Sequence, residues 1–559
     1  MNDQRYFIVQ NSAYKSTHKK TMNNIDKYLK YIPDFFSNRQ LNSVDSIENF
    51  LIPPKEWMND PFLFYSMDKV VDKIIKNPSK KPILIHGDCD ADGVSACAVL
   101  CNYLDEIGYN VHSYIPNRSL EGHIMSKKAI DFAHSIGCEL IITCDLGMGS
   151  YMEVDYAKKK SIDVVITDHH KVGANKPDAY AIINPWLDEN KKLLFKEYSG
   201  SGVAFKLCHA INLKLSLKQD IIDKLMACAV IGIISDKVAI VNENRYISFY
   251  GYKQILSGNN LGLSLLNNNI SKNKMEININ KIIQIINMAT KLEDPSISVK
   301  LLTTNNPVQA NNYVNKILTT YNKNKIVFSS AIQSSIRQVH SQNYKENKSI
   351  FIISDCDSAY NGAIANRLSM QFNVPCVIIS KMQESQFKGS CRSVDNIDIL
   401  FLINSNKELF LNLGGHPMAA GFLIDEKNIN KFKDLFLEYM KDKKISIKNK
   451  SWPIDGEISF SDINSEMIDF LNEFKPYSYQ NTPPRFLTKN VKLIGKPALF
   501  GLNNNSIKFK LEHDKVQLNA IGFNLINQFE ILLSKNKLII EYSILINNNK
   551  ISLKVHNIS

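Results

Sequence analysis

Asp163-Val164-Val165-Ile166-Thr167-Asp168-His169-His170 is a run of β-branched residues that ends in one carboxylate and two imidazoles. Such residues read as a buried strand. A strand that stops on three potential metal ligands is not a packing device. Two other runs end the same way: Pro82-Ile83-Leu84-Ile85 enters His86-Gly87-Asp88-Cys89-Asp90-Ala91-Asp92-Gly93, and Leu140-Ile141-Ile142-Thr143-Cys144 enters Asp145-Leu146-Gly147. Helical stretches at 94–107, 126–136 and 151–160, with a strand-like stretch at 110–115, separate them. This β-α-β-α order predicts an α/β fold with a parallel sheet and covering helices. Parallel sheets bind ligands at the C-terminal ends of their strands, where these acids and histidines fall.

His86, Asp90 and Asp92 stand at i, i+4 and i+6, and Gly87 and Gly93 let the backbone turn tightly between them. Asp145, His169 and Asp236 complete a set of four carboxylates and two imidazoles. That is more than one ion needs if substrate is also to reach it. Carboxylate mixed with imidazole suits two divalent ions, Mn²⁺ first and Mg²⁺ second, better than structural zinc. Two ions about 3.5–4 Å apart are a general device for phosphoester hydrolysis: they acidify a water and neutralise phosphate oxygens. The stretch Asp88-Cys89-Asp90-Ala91-Asp92-Gly93 also looks like the start of an EF-hand loop. The twelfth position from Asp88 is Val99 rather than glutamate, and a β-run precedes it, which excludes that reading.

The 559 residues allow three or four domains. Ten cysteines with no C-x-x-C pair read as reduced buried thiols. No segment reaches the about 18–20 apolar residues of a membrane span, and the stretch from Leu225 to Ile234 reads as a core helix. The opening residues lack the apolar core of a signal peptide, so a cytoplasmic protein is expected. The net charge of +12 favours a polyanionic partner, although Asn267-Asn268-Asn269 and similar runs show a bias toward lysine and asparagine that has other sources. Ser199-Gly200-Ser201-Gly202 reads as a turn that caps a helix, and there is no P-loop motif. The expected divisions are a mostly helical segment at 1–55, a parallel-sheet domain at 56–245, a helical connector at 246–345, a second α/β unit at 346–450 and a β-rich domain at 451–559.

Together these motifs resemble the DHH phosphoesterase superfamily, and the wider chain is similar to its RecJ family of single-strand-specific exonucleases. The resemblance rests on His86-Gly87-Asp88-Cys89-Asp90-Ala91-Asp92-Gly93, Thr143-Cys144-Asp145-Leu146-Gly147, Asp168-His169-His170 and Ile231-Gly232-Ile233-Ile234-Ser235-Asp236. Gly389-Ser390-Cys391-Arg392-Ser393 and Gly414-Gly415-His416 resemble the DHH-associated domain. The resemblance implies an architecture: a parallel-sheet DHH domain, a helical connector, an α/β DHH-associated domain and a C-terminal OB-fold barrel. It implies His86, Asp90, Asp92, Asp145, His169 and Asp236 as ligands of two ions, with Asp145 bridging. His170 would serve the phosphate and Asp168 would orient its neighbours. Arg118, Ser390, Arg392 and His416 would contact substrate phosphate. The implied activity is 5′→3′ hydrolysis of single-stranded DNA in recombination and repair, by a monomer, with a helicase and a single-strand-binding protein as candidate partners.

The chain departs from the family pattern. Where the family has Pro-Arg-x-Asn-Ala-Ala-Gly-Arg, this sequence reads Gln284-Ile285-Ile286-Asn287-Met288-Ala289-Thr290-Lys291. The glycines of the turn that opens the barrel region are replaced in Pro476-Tyr477-Ser478-Tyr479-Gln480-Asn481-Thr482-Pro483-Pro484. Two other readings stay open: a short-oligonucleotide or cyclic-dinucleotide phosphodiesterase of the same superfamily, and a non-catalytic scaffold that binds single strands.

Overall fold

A computed structural model describes residues 25–76, 81–117, 121–122, 124–173, 175–187, 189, 192–271, 277–290, 294–394, 397–441, 443, 452–501, 504–547 and 550–559. The chain divides into two compact units, one of Met1–Thr320 with Pro453–Phe500 and Asn505–Ser559, the other of Tyr321–Trp452 with Gly501–Asn504.

The first unit carries the expected parallel sheet. Its strands are β1 (Ile83–Gly87), β2 (Val111–Tyr114), β3 (Leu140–Cys144), β4 (Asp163–Thr167) and β5 (Ala181–Ile183), in the order β2-β1-β3-β4-β5. Every pair is parallel, and the register aligns Gly87, Cys144, Thr167 and, on β5, Ile183 in one row. β1 and β3 are buried along their whole length, as a sheet covered on both faces requires. Leu84, Ile141 and Ile166 face helices Lys127–Ser135 and Tyr151–Lys159. Helices Ala91–Glu106, Gly200–Lys214 and Gln219–Ser235 are buried nearly all round, so they form a central layer with no wet face. The boundary expected at 245–246 falls inside helix Asn242–Ser257, where Tyr246, Ile247, Phe249 and Tyr250 are buried. That helix ends only at Gly258, a left-handed cap.

The C-terminal part of this unit is the expected OB barrel. Strands β12 (Phe486–Phe500), β13 (Ser506–His513), β14 (Val516–Gly522), β15 (Leu538–Asn547) and β16 (Lys550–Ile558) pair in the order β12-β13-β14-β16-β15, and a β12–β15 pairing closes the barrel. The short strand β11 (Gly456–Glu457) lies parallel to β12. Residues 25–51, set apart in the sequence, share one hydrophobic core with this barrel. Tyr28, Phe35, Phe36 and Phe50 pack among Phe470, Phe474, Phe486 and Tyr542. Buried Arg39 ties the two segments, with an ion pair of 2.7 Å to Asp455 and a hydrogen bond of 3.0 Å to Asn481. Arg245 donates to the carbonyls of Phe50 (2.9 Å) and Phe474 (3.1 Å), which anchors helix Asn242–Ser257 to the same core.

The second unit holds the sheet β6 (Ile350–Ser354), β7 (Cys376–Lys381), β8 (Gln386–Arg392), β9 (Phe410–His416) and β10 (Ala419–Asp425) in the order β6-β7-β8-β10-β9. One face packs Phe351, Phe387, Phe422, Phe432 and Phe436 into a core. Helix Pro307–His340, 34 residues long, lies within the stretch 246–345 expected to be helical. All ten cysteines are free, nine of them buried. Among the described residues no helix is long and apolar enough to cross a membrane.

Candidate metal centre

The strand register builds the site. One residue past the aligned row, the Asp88 amide donates to the Cys144 carbonyl (3.2 Å), the Asp145 amide to that of Thr167 (3.0 Å), and the Asp168 amide to that of Ile183 (3.0 Å). Three loops therefore leave the sheet side by side, each with an aspartate first. Asp145 adopts a left-handed backbone (φ 64°), rare for a residue with a side chain. Thr143 Oγ1 stabilises the turn by donating to the Leu146 carbonyl (2.8 Å).

Asp92 is buried on helix Ala91–Glu106, and its carboxylate accepts from the amides of Gly200 (2.6 Å) and Ser201 (2.8 Å), the first residues of helix Gly200–Lys214. A carboxylate at a helix N-terminus is favoured by the orphan amides and the dipole there. Ser199 caps the helix as expected, accepting from the Gly202 amide (3.2 Å). The glycines of this region leave room for acids. A Cβ on Gly200 would lie 2.4 Å from Asp145 Cβ, and one on Gly232 would lie 2.0 Å from Asp92 Oδ1.

Four of the six residues expected as ligands converge. His169 Nε2 is 3.0 Å from Asp145 Oδ1 and 3.9 Å from Asp92 Oδ2, and its Nδ1 is 3.7 Å from Asp236 Oδ2. Asp145 Oδ1 and His169 Nε2 are close but misaligned for hydrogen bonding, and each is buried with no hydrogen-bond partner. Orphaned atoms of this kind call for a ligand. Asp90, the fifth, groups with Asp145 and with Asp88, which the sequence reading leaves out of the ligand set. Asp88 is the residue that directly extends β1 past the aligned row, and its place in the motif is the available signal.

His86, the sixth, is turned elsewhere. Its Nε2 accepts from the Ser126 amide (3.1 Å), its Nδ1 lies 3.2 Å from the Gly87 carbonyl, and burial pushes its pKa down to about 4. With one nitrogen accepting and the other against a carbonyl, the ring as placed has no lone pair for an ion. Glu121 shapes this corner by accepting from Tyr114 Oη (2.7 Å) and the Asn117 amide (2.9 Å).

The electrostatics favour cations. Burial, followed by the charges of Asp92, Asp90, Asp88 and Asp168, pushes the Asp145 carboxyl well above its usual range. Burial and Asp92 raise Asp236 to about 6. Asp168 behaves differently. Burial raises it, but hydrogen bonds and charge from His170 and His169 outweigh this, and it stays below the usual range. It accepts from the amides of Met148 (3.2 Å), His169 (2.8 Å) and His170 (3.2 Å), and from His170 Nδ1 (2.7 Å). That last bond raises His170 to about 9, and the ring is more than half exposed. Divalent cations fit this site because they would satisfy the orphaned atoms and relieve the mutual repulsion of the acids.

In the second unit Ser390 and Arg392 sit on β8 and His416 ends β9. Pairing aligns Arg392 with Ala419 and Ala419 with His416, so the three share one face of the sheet. The row beside it is Ser390, Gly421 and Gly414, whose glycines leave that face low. Gly362, in helix Asn361–Phe372, also faces this strip; a Cβ there would be 3.1 Å from Arg392 Nη2. Arg118 lies outside the described residues. On the barrel, Lys489, Lys492, Lys496, Lys508 and Lys510 are exposed on β12 and β13, and Lys508 lies 4.9 Å from the Phe500 ring centroid.

Three family models match the chain: the DHH family, N-terminal domain, over residues 82–233; the DHHA1 domain over 347–442; and the RecJ OB domain over 454–556. The chain is similar to the single-stranded-DNA-specific exonuclease RecJ of Bacillus subtilis, 28% identical over 494 residues, which cover 87% of this chain and 62% of that protein. It therefore spans less than two thirds of that relative's length. The RecJ of Haemophilus influenzae is 27% identical over 495 residues, covering 84% of this chain and 85% of its own. A crystal structure of RecJ with Mn²⁺ from Thermus thermophilus superposes with a TM-score of 0.77 at 20% identity, covering 96% of this chain and 78% of that one. A Mg²⁺ complex of the same protein gives 0.71. At that identity the likeness is one of fold.

Proposed function

We propose that the chain, which carries the DHH, DHHA1 and RecJ OB domains, is a RecJ-like, metal-dependent exonuclease of the DHH phosphoesterase superfamily that hydrolyses single-stranded DNA in the 5′→3′ direction. The observation that carries the proposal is the pair of buried, unpartnered atoms, Asp145 Oδ1 and His169 Nε2, inside a ring of carboxylates. Asp92, Asp145, His169 and Asp236 would hold one divalent ion, and Asp88 and Asp90 with Asp145 a second. Bound there, Mn²⁺ or Mg²⁺ would supply an acidified water and neutralise charge on the phosphate.

The protein residues have separate tasks. The amides of Gly200 and Ser201 hold Asp92 in place. Asp168 holds the backbone of both following histidines and the ring of His170. His170, charged near neutral pH and tied through Nδ1 to Asp168, has Nε2–H left to donate to a phosphate or leaving oxygen. Arg118, Ser390, Arg392 and His416 are the proposed phosphate contacts; arginine's planar fork matches phosphate oxygens. The exposed lysines and Phe500 of the barrel suit a single strand, which offers charge and stacking faces together. Action as a cytoplasmic monomer in recombination and repair, alongside a helicase and a single-strand-binding protein, belongs to the same proposal.

The RecJ OB domain favours this reading over a short-oligonucleotide phosphodiesterase. The retained carboxylates favour it over a silent scaffold. The test is long single-stranded DNA labelled at either end and incubated with Mn²⁺. Progressive mononucleotide release from the 5′ end is expected. Hydrolysis confined to dinucleotides, or strand binding with no hydrolysis, would overturn the proposal.

A further inference from the structure

We infer that Asn287 and Thr290 are positioning residues that clamp the carboxylate loop 88–92 from outside the metal centre. Both lie at the C-terminal end of helix Ile279–Ala289, where Thr290 is the cap residue and is buried. Thr290 Oγ1 donates to the Cys89 carbonyl (2.9 Å), and Asn287 Oδ1 accepts from the Ala91 amide (2.8 Å). The first bond pins the peptide that enters Asp90, and the second pins the peptide that leaves it. The Asn287 carbonyl, 3.1 Å from the Thr290 hydroxyl, is a second and longer acceptor for the same proton.

Asp90 itself caps helix Ala91–Glu106, accepting from the amides of Asp92 (3.0 Å) and Gly93 (3.1 Å). The Ala91 amide is one of the donors that a helix start leaves unsatisfied, and Asn287 takes it. Between these bonds the backbone of Asp90 has little freedom, and the carboxylates of Asp88 and Asp92 are set on either side of it. Asn287 stands where the family pattern also has asparagine, whereas Thr290 stands where it has glycine, which has no hydroxyl to donate.

Outer partners that fix metal ligands typically change metal affinity by about 10–100-fold when removed. The inference rests on the metal-centre reading, and the experiment separates the two. Full-length wild type, Thr290→Val, Thr290→Ser and Asn287→Ala are titrated with Mn²⁺ alone, the free ion is followed by electron paramagnetic resonance, and each apo protein is melted. Thr290→Val keeps the branched shape and loses the donor, so its Mn²⁺ dissociation constant should rise about tenfold. Thr290→Ser keeps the donor and should stay within about twofold of wild type. Asn287→Ala should also weaken binding.

Wild-type affinity in Thr290→Val would overturn the clamp while leaving the metal centre standing. Equal weakening in the valine and serine variants would overturn it too, because the methyl group and not the hydroxyl would then matter. A wild type that takes up no Mn²⁺ would overturn the metal-centre reading and the clamp with it.

Discussion

Replacing Gly232 with alanine tests how tightly the fold holds Asp92. The position is inside helix Gln219–Ser235, where propensity alone favours alanine by about 1 kcal/mol. The tertiary structure predicts the opposite sign. The new Cβ would lie 2.0 Å from Asp92 Oδ1 and 2.2 Å from Ser201 Oγ. Neither neighbour is free to retreat. Asp92 is held by the Gly200 and Ser201 amides, and Ser201 Oγ donates to the Ala229 carbonyl (3.0 Å). Overpacking a core costs about 1–3 kcal/mol, and displacing a hydrogen bond to a charged group costs about 1.5–3 more. Less the propensity gain, the net loss is about 1.5–5 kcal/mol, a fall in Tm on the order of 2–6 °C for a unit of this size. Asp92 is also a proposed ligand, so the Mn²⁺-induced rise in Tm should shrink. Thermal melts of both proteins with and without Mn²⁺ measure both effects. A variant that melts higher than wild type and responds equally to Mn²⁺ would refute the packing argument.

Asp145→Asn removes a carboxylate that burial and its acidic neighbours destabilise in ionised form. The apo variant should melt higher near neutral pH, lose its response to Mn²⁺, and hydrolyse single strands at least about 10²-fold more slowly; unchanged turnover would refute the ligand assignment. Arg39→Ala would strand buried Asp455 and should cost about 3–5 kcal/mol in urea unfolding; a loss under about 1 kcal/mol would show that the helices at 25–51 and the barrel are not bound through this pair. Burial lowers buried His209 from 6.5 to about 3, so between those values the unfolded chain holds a proton that the folded one lacks. Stability from this group is complete above pH 6.5 and falls below it, by up to about 2 kcal/mol at pH 5. His209→Gln should flatten the dependence of Tm on pH between about 7 and 5, and an unaltered slope would exclude His209 as its source.

The parts of the site that are legible in the sequence share one property: they are local. A β-branched run that stops on Asp168-His169-His170 announces both a strand and its chemistry within eight residues, and the runs into Asp88 and Asp145 do the same. Ser199 can be read as a cap because a cap bonds three residues ahead. What the sequence does not show concerns distant partners. The spacing of His86 from Asp90 and Asp92 says nothing of the Ser126 amide, forty residues away, which donates to His86 Nε2. The packing of residues 25–51 is not legible either, because the phenylalanines that complete their core lie beyond residue 450.

Period and composition determined the parallel sheet, the β-rich character of the C-terminal region and the residue types at the strand ends, because these follow from interactions between near neighbours in the chain. Only the tertiary structure decided how that chemistry is held. Gly200 and Gly232 matter because of the carboxylates they face, Asp92 because of a helix start more than a hundred residues away, and Asp145 because four other acids surround it. Close approach and mutual repulsion depend on distance in space, which no spacing along the chain encodes.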